Sequence, residues 1–330
     1  MTQQVPQPPR LAGYSYVRVL GHGSTATVYL YRQQGIERDV AIKVSVEQVD
    51  SRIADAFRAE ARAMAALSSH PYILSTYDAG VTDDGRYYLV FEYAPGGTLK
   101  DVLCNHVLDV PQMLSMGVHL ASAVATAHRA GIVHRDIKPT NVMISVTGPV
   151  LVDFGIAMTP GESHVTSTGL VMGTPGFIAP EVIEGAESTA ASDWWSLASV
   201  LAFAATGEPV FGTSPMMAVL QREASGHANL AGLPPHTLEA FRAALDPDPA
   251  QRCTPQELLE AIRTDAWTSD GEAMLPFDLR RIGRRETDAP GVSGSVLSTH
   301  ERVENPRTLW HRQSLPTEAM PVNASTGTVP

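Results

Sequence analysis

The feature that most constrains this chain is a change of hydrophobic period at Pro95-Gly96-Gly97. Before it, from Tyr14 to about Tyr93, apolar residues fall in short β-branched and aromatic runs, YVRVL, TVYLYR, RDVAIKV and YYLVFEY. Such runs read as strands, whose side chains alternate between two faces. After it the spacing turns helical, over Leu99 to His106, Pro111 to Ala130, Trp194 to Thr206, Pro215 to Ser225, Thr237 to Ala244 and Pro255 to Thr264. The expectation is an α+β, bilobal fold, with a small mainly-β lobe over 14–94, a larger mainly-α lobe over 95–264, and a cleft between them.

One helix interrupts the strands, roughly Ser51 to Ser69, with Ile53, Phe57, Ala61, Met64 and Leu67 at three- and four-residue spacing and Ser51 at its N-cap. Glu60 falls on that apolar face. Residues 1–13, rich in Pro and Gln, read as a disordered leader, and residues 265–330, dominated by Pro, Thr, Ser and Gly, as a disordered tail. There is no internal repeat.

Composition narrows the function classes. A net charge of −11 argues against a surface built to bind nucleic acid, which needs clustered Lys and Arg. The two cysteines, Cys104 and Cys253, have no CxxC spacing, so neither a disulfide framework nor a zinc site is expected, and a cytoplasmic setting fits. The N-terminus lacks a signal-peptide pattern, and the most apolar stretch, Trp194 to Thr206, is too short to span a membrane and reads as a buried helix.

Four segments carry chemistry. Gly21-His22-Gly23-Ser24-Thr25-Ala26-Thr27-Val28 lies between two strand runs, where glycines let a hairpin backbone approach phosphates closely. Val40-Ala41-Ile42-Lys43 puts an ammonium among apolar neighbours, where it needs an anionic partner. Glu60 can be that partner, and the pair could aim Lys43 at the α- and β-phosphates of ATP. His134-Arg135-Asp136-Ile137-Lys138-Pro139-Thr140-Asn141 and Asp153-Phe154-Gly155 follow. Asp136 suits a base that orients a hydroxyl nucleophile and accepts its proton, and Lys138 can stabilise charge on a transferring phosphoryl group. Asn141 and Asp153 offer the hard oxygen ligands that favour Mg²⁺. Singly, each segment has a plainer reading: a β-turn, a helix-to-sheet salt bridge, or a polar turn capped by Asp or Asn. In this order and spacing the plain readings fail together.

These residues resemble the eukaryotic-type (Hanks-type) Ser/Thr protein kinases over about Tyr14 to Thr264, and the wording of HRDIKPTN, GTPGFIAPE and SDWWSLA resembles the bacterial branch. The resemblance implies a Ser/Thr kinase with its ATP cleft between the lobes, using Mg²⁺ or Mn²⁺. It implies a Lys43–Glu60 ion pair, Asp136 as catalytic base, Asn141 and Asp153 as metal ligands, and a glycine-rich loop over Leu20 to Val28. Phe91 takes the gatekeeper position, the backbone of Glu92 and Ala94 meets the adenine edge, and Val28, Ala41 and Met143 sandwich the base. Thr174 would contact the catalytic loop, Glu181 would pair with Arg252, and Asp193 would anchor the HRD backbone. The third loop glycine is replaced by Ala26, whose Cβ restricts positive φ and stiffens the flap.

The resemblance also implies regulation. Arg135 beside Asp136 forms a basic pocket best satisfied by phosphate on the loop between Asp153 and Glu181, with Thr166 and Thr168 as autophosphorylation sites and Ser167 behind them. Protein substrates are the implied partners, with a homodimer for autophosphorylation in trans. Tail threonines Thr287, Thr299, Thr308 and Thr317 would recruit phosphothreonine-binding, forkhead-associated partners. Two rival readings are a pseudokinase scaffold and a small-molecule phosphotransferase. The first is opposed by the complete set of polar residues, the second by the GTPGFIAPE segment.

Overall fold

A computed structural model of the chain describes residues 7–23, 25–46, 51–108, 110–154, 173–270 and 283–284. Strands β1 (Tyr14–His22), β2 (Ala26–Gln33), β3 (Arg38–Ser45), β4 (Thr76–Val81) and β5 (Tyr87–Glu92) form one antiparallel sheet in the order β1-β2-β3-β5-β4. The period of two on β3 sorts its side chains. Val40, Ile42 and Val44 pack with Tyr29, Tyr31 and Val90 on one face. Ala41 turns to the other, toward Leu89, Phe91 and the core of the second lobe, and Lys43 shares that direction. Helix α1 (Ser51–Leu67) packs against β4 and β5, burying Met64 and Leu67.

The second lobe comprises α2 (Leu99–Asn105), β6 (His106–Val107), α3 (Val110–Arg129), the hairpin β7 (Val142–Ser145) and β8 (Gly148–Leu151), then α4 (Pro180–Ile183), α5 (Ala190–Thr206), α6 (Met216–Ala224), α7 (Pro235–Ala244) and α8 (Pro255–Asp270). Its axis is α5, which opens with a Thr189/Ser192 capping box and stops at Gly207 in the left-handed region. Trp195 and Leu197 through Ala204 are all buried, as expected for a core helix. No described helix is long and apolar enough to cross a membrane.

Several expected boundaries are corrected. Residues 7–13 are not a free leader: Pro9 is buried, and its carbonyl accepts the Tyr31 hydroxyl at 2.7 Å. The last helix runs to Asp270 rather than Thr264, because Asp265 is buried and accepts the Thr237 N–H at 2.7 Å, tying α8 to α7. Beyond it, β9 (Gly283–Arg284) pairs with β6, so the tail region contains ladder residues. Strands β4 and β7 had no clear strand pattern in the sequence.

The lobes are joined where the hydrophobic period changes. The Gly96 N–H donates to Ile144 O, and the Ile144 N–H donates to Gly97 O, both at 2.9 Å. A Cβ on Gly96 would stand 2.7 Å from that Ile144 oxygen and 2.8 Å from its Cβ, so backbone rather than a flexible side chain blocks it. We expect Gly96→Ala to lower unfolding free energy by roughly 1–3 kcal/mol, the usual range for overpacking, measured by urea denaturation. An unchanged midpoint would show that the junction has slack.

Candidate active site

The loop after α3 is fixed by one carboxylate from α5. Asp193, buried, accepts the His134 N–H at 2.7 Å, the Arg135 N–H at 2.9 Å, and a hydrogen bond with His128 Nε2 at 2.8 Å. These bonds hold Arg135 at φ +68°, a conformation costing a non-glycine residue roughly 1–2 kcal/mol. Asp153 adopts a similar φ of +52°.

His134 links the two segments. It is fully buried, its Nε2–H donates to Val152 O at 3.1 Å, and its Nδ1 accepts the Asp136 N–H at 3.3 Å. A single neutral tautomer satisfies both partners. Burial holds the imidazole below its ordinary range, outweighing the carboxylates of Asp193, Asp136 and Asp153. The unfolded chain protonates this histidine near pH 6.5 and the folded chain does not, so its contribution to stability is present above that value and falls as the pH drops below it. We expect an imidazole ¹⁵N titration to show a neutral Nε2–H tautomer at pH 6. A protonated ring at that pH would contradict the assignment.

The candidate reactive groups converge beside this frame. Asp136 Oδ2 is 2.8 Å from Lys138 Nζ and accepts Asn141 Nδ2–H at 2.9 Å, and the same amide nitrogen donates to Asp136 O at 2.9 Å. Asn141 closes a 3-10 turn over Pro139–Asn141, and its carbonyl accepts the Val152 N–H at 3.0 Å, bringing it next to Asp153. Lys43 Nζ donates to Asp153 Oδ1 at 2.9 Å. The ammonium holds the Asp153 carboxyl below its usual range. The Glu60 carboxylate, expected as the partner of Lys43, lies outside the described residues. So do Ser24, Thr166, Ser167 and Thr168.

An apolar wall faces these groups. Leu20, Val28, Ala41, Phe91, Ala94 and Met143 belong to one packed cluster drawn from both lobes. Glu92 ends β5 with its N–H bonded to Ser75 O. Gly21 and His22 end β1, His22 Nδ1 lies 2.7 Å from Thr27 Oγ1, and the Gly23 N–H donates to Ala26 O at 2.9 Å. Ala26 lies within β2 and is not among the positive-φ residues, so its Cβ meets no restriction there and the expected stiffening of the flap loses its backbone basis.

Arg135, Asp136, Gly173 and Thr174 line an open hollow together with Phe177 and Ile178. Below it, Arg252 clasps Glu181 with two bonds, at 3.0 and 2.6 Å, while its guanidinium also donates to the carbonyls of Asp246, Pro247 and Ala191. That is the pairing implied by resemblance. One residue escaped the sequence reading: Glu223 on α6, fully buried, with Oε1 accepting the N–H groups of Gly176 and Ile178 at 2.9 Å each. Its three- and four-residue spacing from the buried Leu220 and Val219 was the available signal, since it puts a carboxylate on the inward face of the helix.

The description "Protein kinase domain" belongs to the family model that matches residues 14–262. The chain is 35% identical over 325 residues to serine/threonine-protein kinase PknK of Mycobacterium tuberculosis, covering 94% of this chain and 29% of the relative. It is 35% identical to serine/threonine-protein kinase PrkC of Bacillus subtilis, covering 79% of this chain and 42% of that protein. With serine/threonine-protein kinase PknB of Mycobacterium leprae it shares 38% identity over 65% of this chain and 36% of the relative. The chain thus spans less than half the length of these relatives.

Proposed function

The chain belongs to the protein kinase domain family, and we propose that it is a Ser/Thr protein kinase moving the γ-phosphate of ATP onto hydroxyl groups of proteins. The observation that carries the reading is the convergence of Asp136, Lys138, Asn141, Asp153 and Lys43 through direct contacts of 2.8–2.9 Å, with the Asn141 carbonyl bonded to the residue before Asp153. Phosphoryl transfer asks the protein mainly for positioning and electrostatic stabilisation, and this arrangement offers both.

Asp136 orients the acceptor hydroxyl and takes its proton, held in place by the Asn141 amide. Lys138, in contact with the same carboxylate, neutralises charge on the group in transfer. Lys43, which meets Asp153 here, reaches the α- and β-phosphates once a nucleotide competes for it, with Glu60 as a second anion. Leu20, Gly21, His22, Gly23, Ser24 and Val28 cover the nucleotide, Ala41 and Met143 flank its base, and Phe91, Glu92 and Ala94 form its inner edge. With their hard oxygen donors, the Asn141 amide oxygen and the Asp153 carboxylate fit a divalent ion, Mg²⁺ or Mn²⁺, which would supply charge neutralisation between phosphates.

Arg135 and Thr174 flank Asp136 in the hollow, and the reading extends to activation by phosphate on Thr166 or Thr168 held by Arg135. It extends further to a cytoplasmic setting, supported by the free thiols of Cys104 and Cys253, to homodimers acting in trans, and to forkhead-associated partners of phosphorylated tail threonines.

Incubating the purified chain with Mg²⁺ and labelled ATP tests the reading. We expect phosphothreonine at Thr166 or Thr168 by mass spectrometry, lost in Asp136→Asn and Lys43→Met variants. A wild type that binds ATP but incorporates nothing would favour a pseudokinase scaffold. In a separate measurement, Arg135→Ala should keep ATP binding yet lose the rise in acceptor phosphorylation that follows autophosphorylation. An undiminished rise would remove Arg135 from the regulatory role.

A further inference from the structure

The segment Gly176-Phe177-Ile178 lies between Thr174 and the start of α4, and two helices hold its backbone. From α5, the Ser199 hydroxyl donates to Gly176 O at 2.6 Å and the Ser196 hydroxyl donates to Phe177 O at 2.9 Å. From α6, Glu223 Oε1 accepts the Gly176 and Ile178 N–H groups. Side chains therefore satisfy both polar groups of Gly176, which stands at φ +102° where other residues would be strained.

Glu223 is a costly way to make such a contact. It is 0% exposed, and among the described residues its Oε2 has no hydrogen-bond partner. Burial pushes the carboxyl up to about 7, against the lowering effect of the Ile178 and Gly176 N–H groups. A buried carboxyl with one oxygen unpartnered opposes folding, and the two N–H bonds to Oε1 offset that cost only in part. What it fixes is the wall of the hollow that contains Asp136, Arg135 and Thr174, since Phe177 and Ile178 line the same hollow. On the kinase reading, an acceptor that presents a hydroxyl to Asp136 enters the hollow that this wall lines.

We propose that Glu223 is a positioning residue for the acceptor protein: by holding the Gly176–Ile178 backbone through Oε1, it sets acceptor affinity without touching ATP. The proposal rests on the kinase reading above and deepens it.

The test uses the full chain, dephosphorylated casein as acceptor, and three variants. Glu223→Leu and Glu223→Ala delete the acceptor oxygen with two different packings, so that a folded one can be read, and Glu223→Gln keeps an oxygen at the same reach. We expect the Leu or Ala variant to raise KM for casein about tenfold with KM for ATP unchanged, and to speed amide exchange at Gly176 and Ile178 at least tenfold, with Gln close to wild type in both. An unchanged casein KM, a parallel rise in KM for ATP, or a Gln variant no better than Leu would overturn the proposal, as would unaltered exchange at the two amides. A wild type that transfers no phosphate would sink the kinase reading, while amide exchange would still decide whether Glu223 holds the segment.

Discussion

A single carboxylate, that of Asp193, ties the reactive loop to the core of the larger lobe. An isolated buried carboxylate costs several kcal/mol to desolvate, and here two backbone N–H groups and His128 surround it. Those same N–H groups belong to His134 and Arg135, so moving the loop would strand the charge. The constraint then passes outward: His134 spans from the Asp136 N–H to Val152 O, and the Val152 N–H returns to Asn141 O. Asp136, Asn141 and Asp153 thus sit on segments that share one hydrogen-bonded frame.

The two prominent ion pairs near this frame differ in kind. Arg252 and Glu181 are 5% and 17% exposed, meet through two bonds, and leave the guanidinium further occupied by backbone carbonyls, as befits a fixed brace. Lys43 and Asp153 are 18% and 48% exposed and meet at 2.9 Å. Half of the Asp153 side chain is open to solvent, where a cation can reach it. The brace under the platform is closed to solvent, whereas the pair in the cleft keeps one partner open to it.

How much of this could be read from the sequence depended on whether a signal was local. The period-two runs gave β1, β2, β3 and β5, and the Val40–Lys43 run already put an ammonium among apolar neighbours. Strand β4, TYDAGV, is largely exposed and owes its form to pairing with β5, so it has no apolar rhythm of its own. Pro9 looked like leader because nothing nearby reveals that Tyr31, in the next strand but one hairpin away, needs a partner for its hydroxyl. The end of α8 was hidden because Asp265 is polar by composition yet buried by its bond to Thr237. The motif residues were legible as types, whereas the Lys43–Asp153 and Glu223–Gly176 contacts join residues far apart in the chain and follow only from the fold.

Helix α5 shows why the frame and the platform belong together. Asp193, Ser196 and Ser199 recur at intervals of three on a helix whose other buried residues, apart from Ser192 in its capping box, are apolar, so they form a polar stripe along one side. The first holds the loop of Asp136, and the second and third hold Phe177 and Gly176. A helix rises 1.5 Å per residue and is stiff over two turns, so the stripe fixes the separation between the candidate base and the wall beside it. Glu223 closes the platform from the opposite side, where α6 packs against α4. The loop of Asp136 and the Gly176–Phe177 backbone are therefore referred to one rigid element.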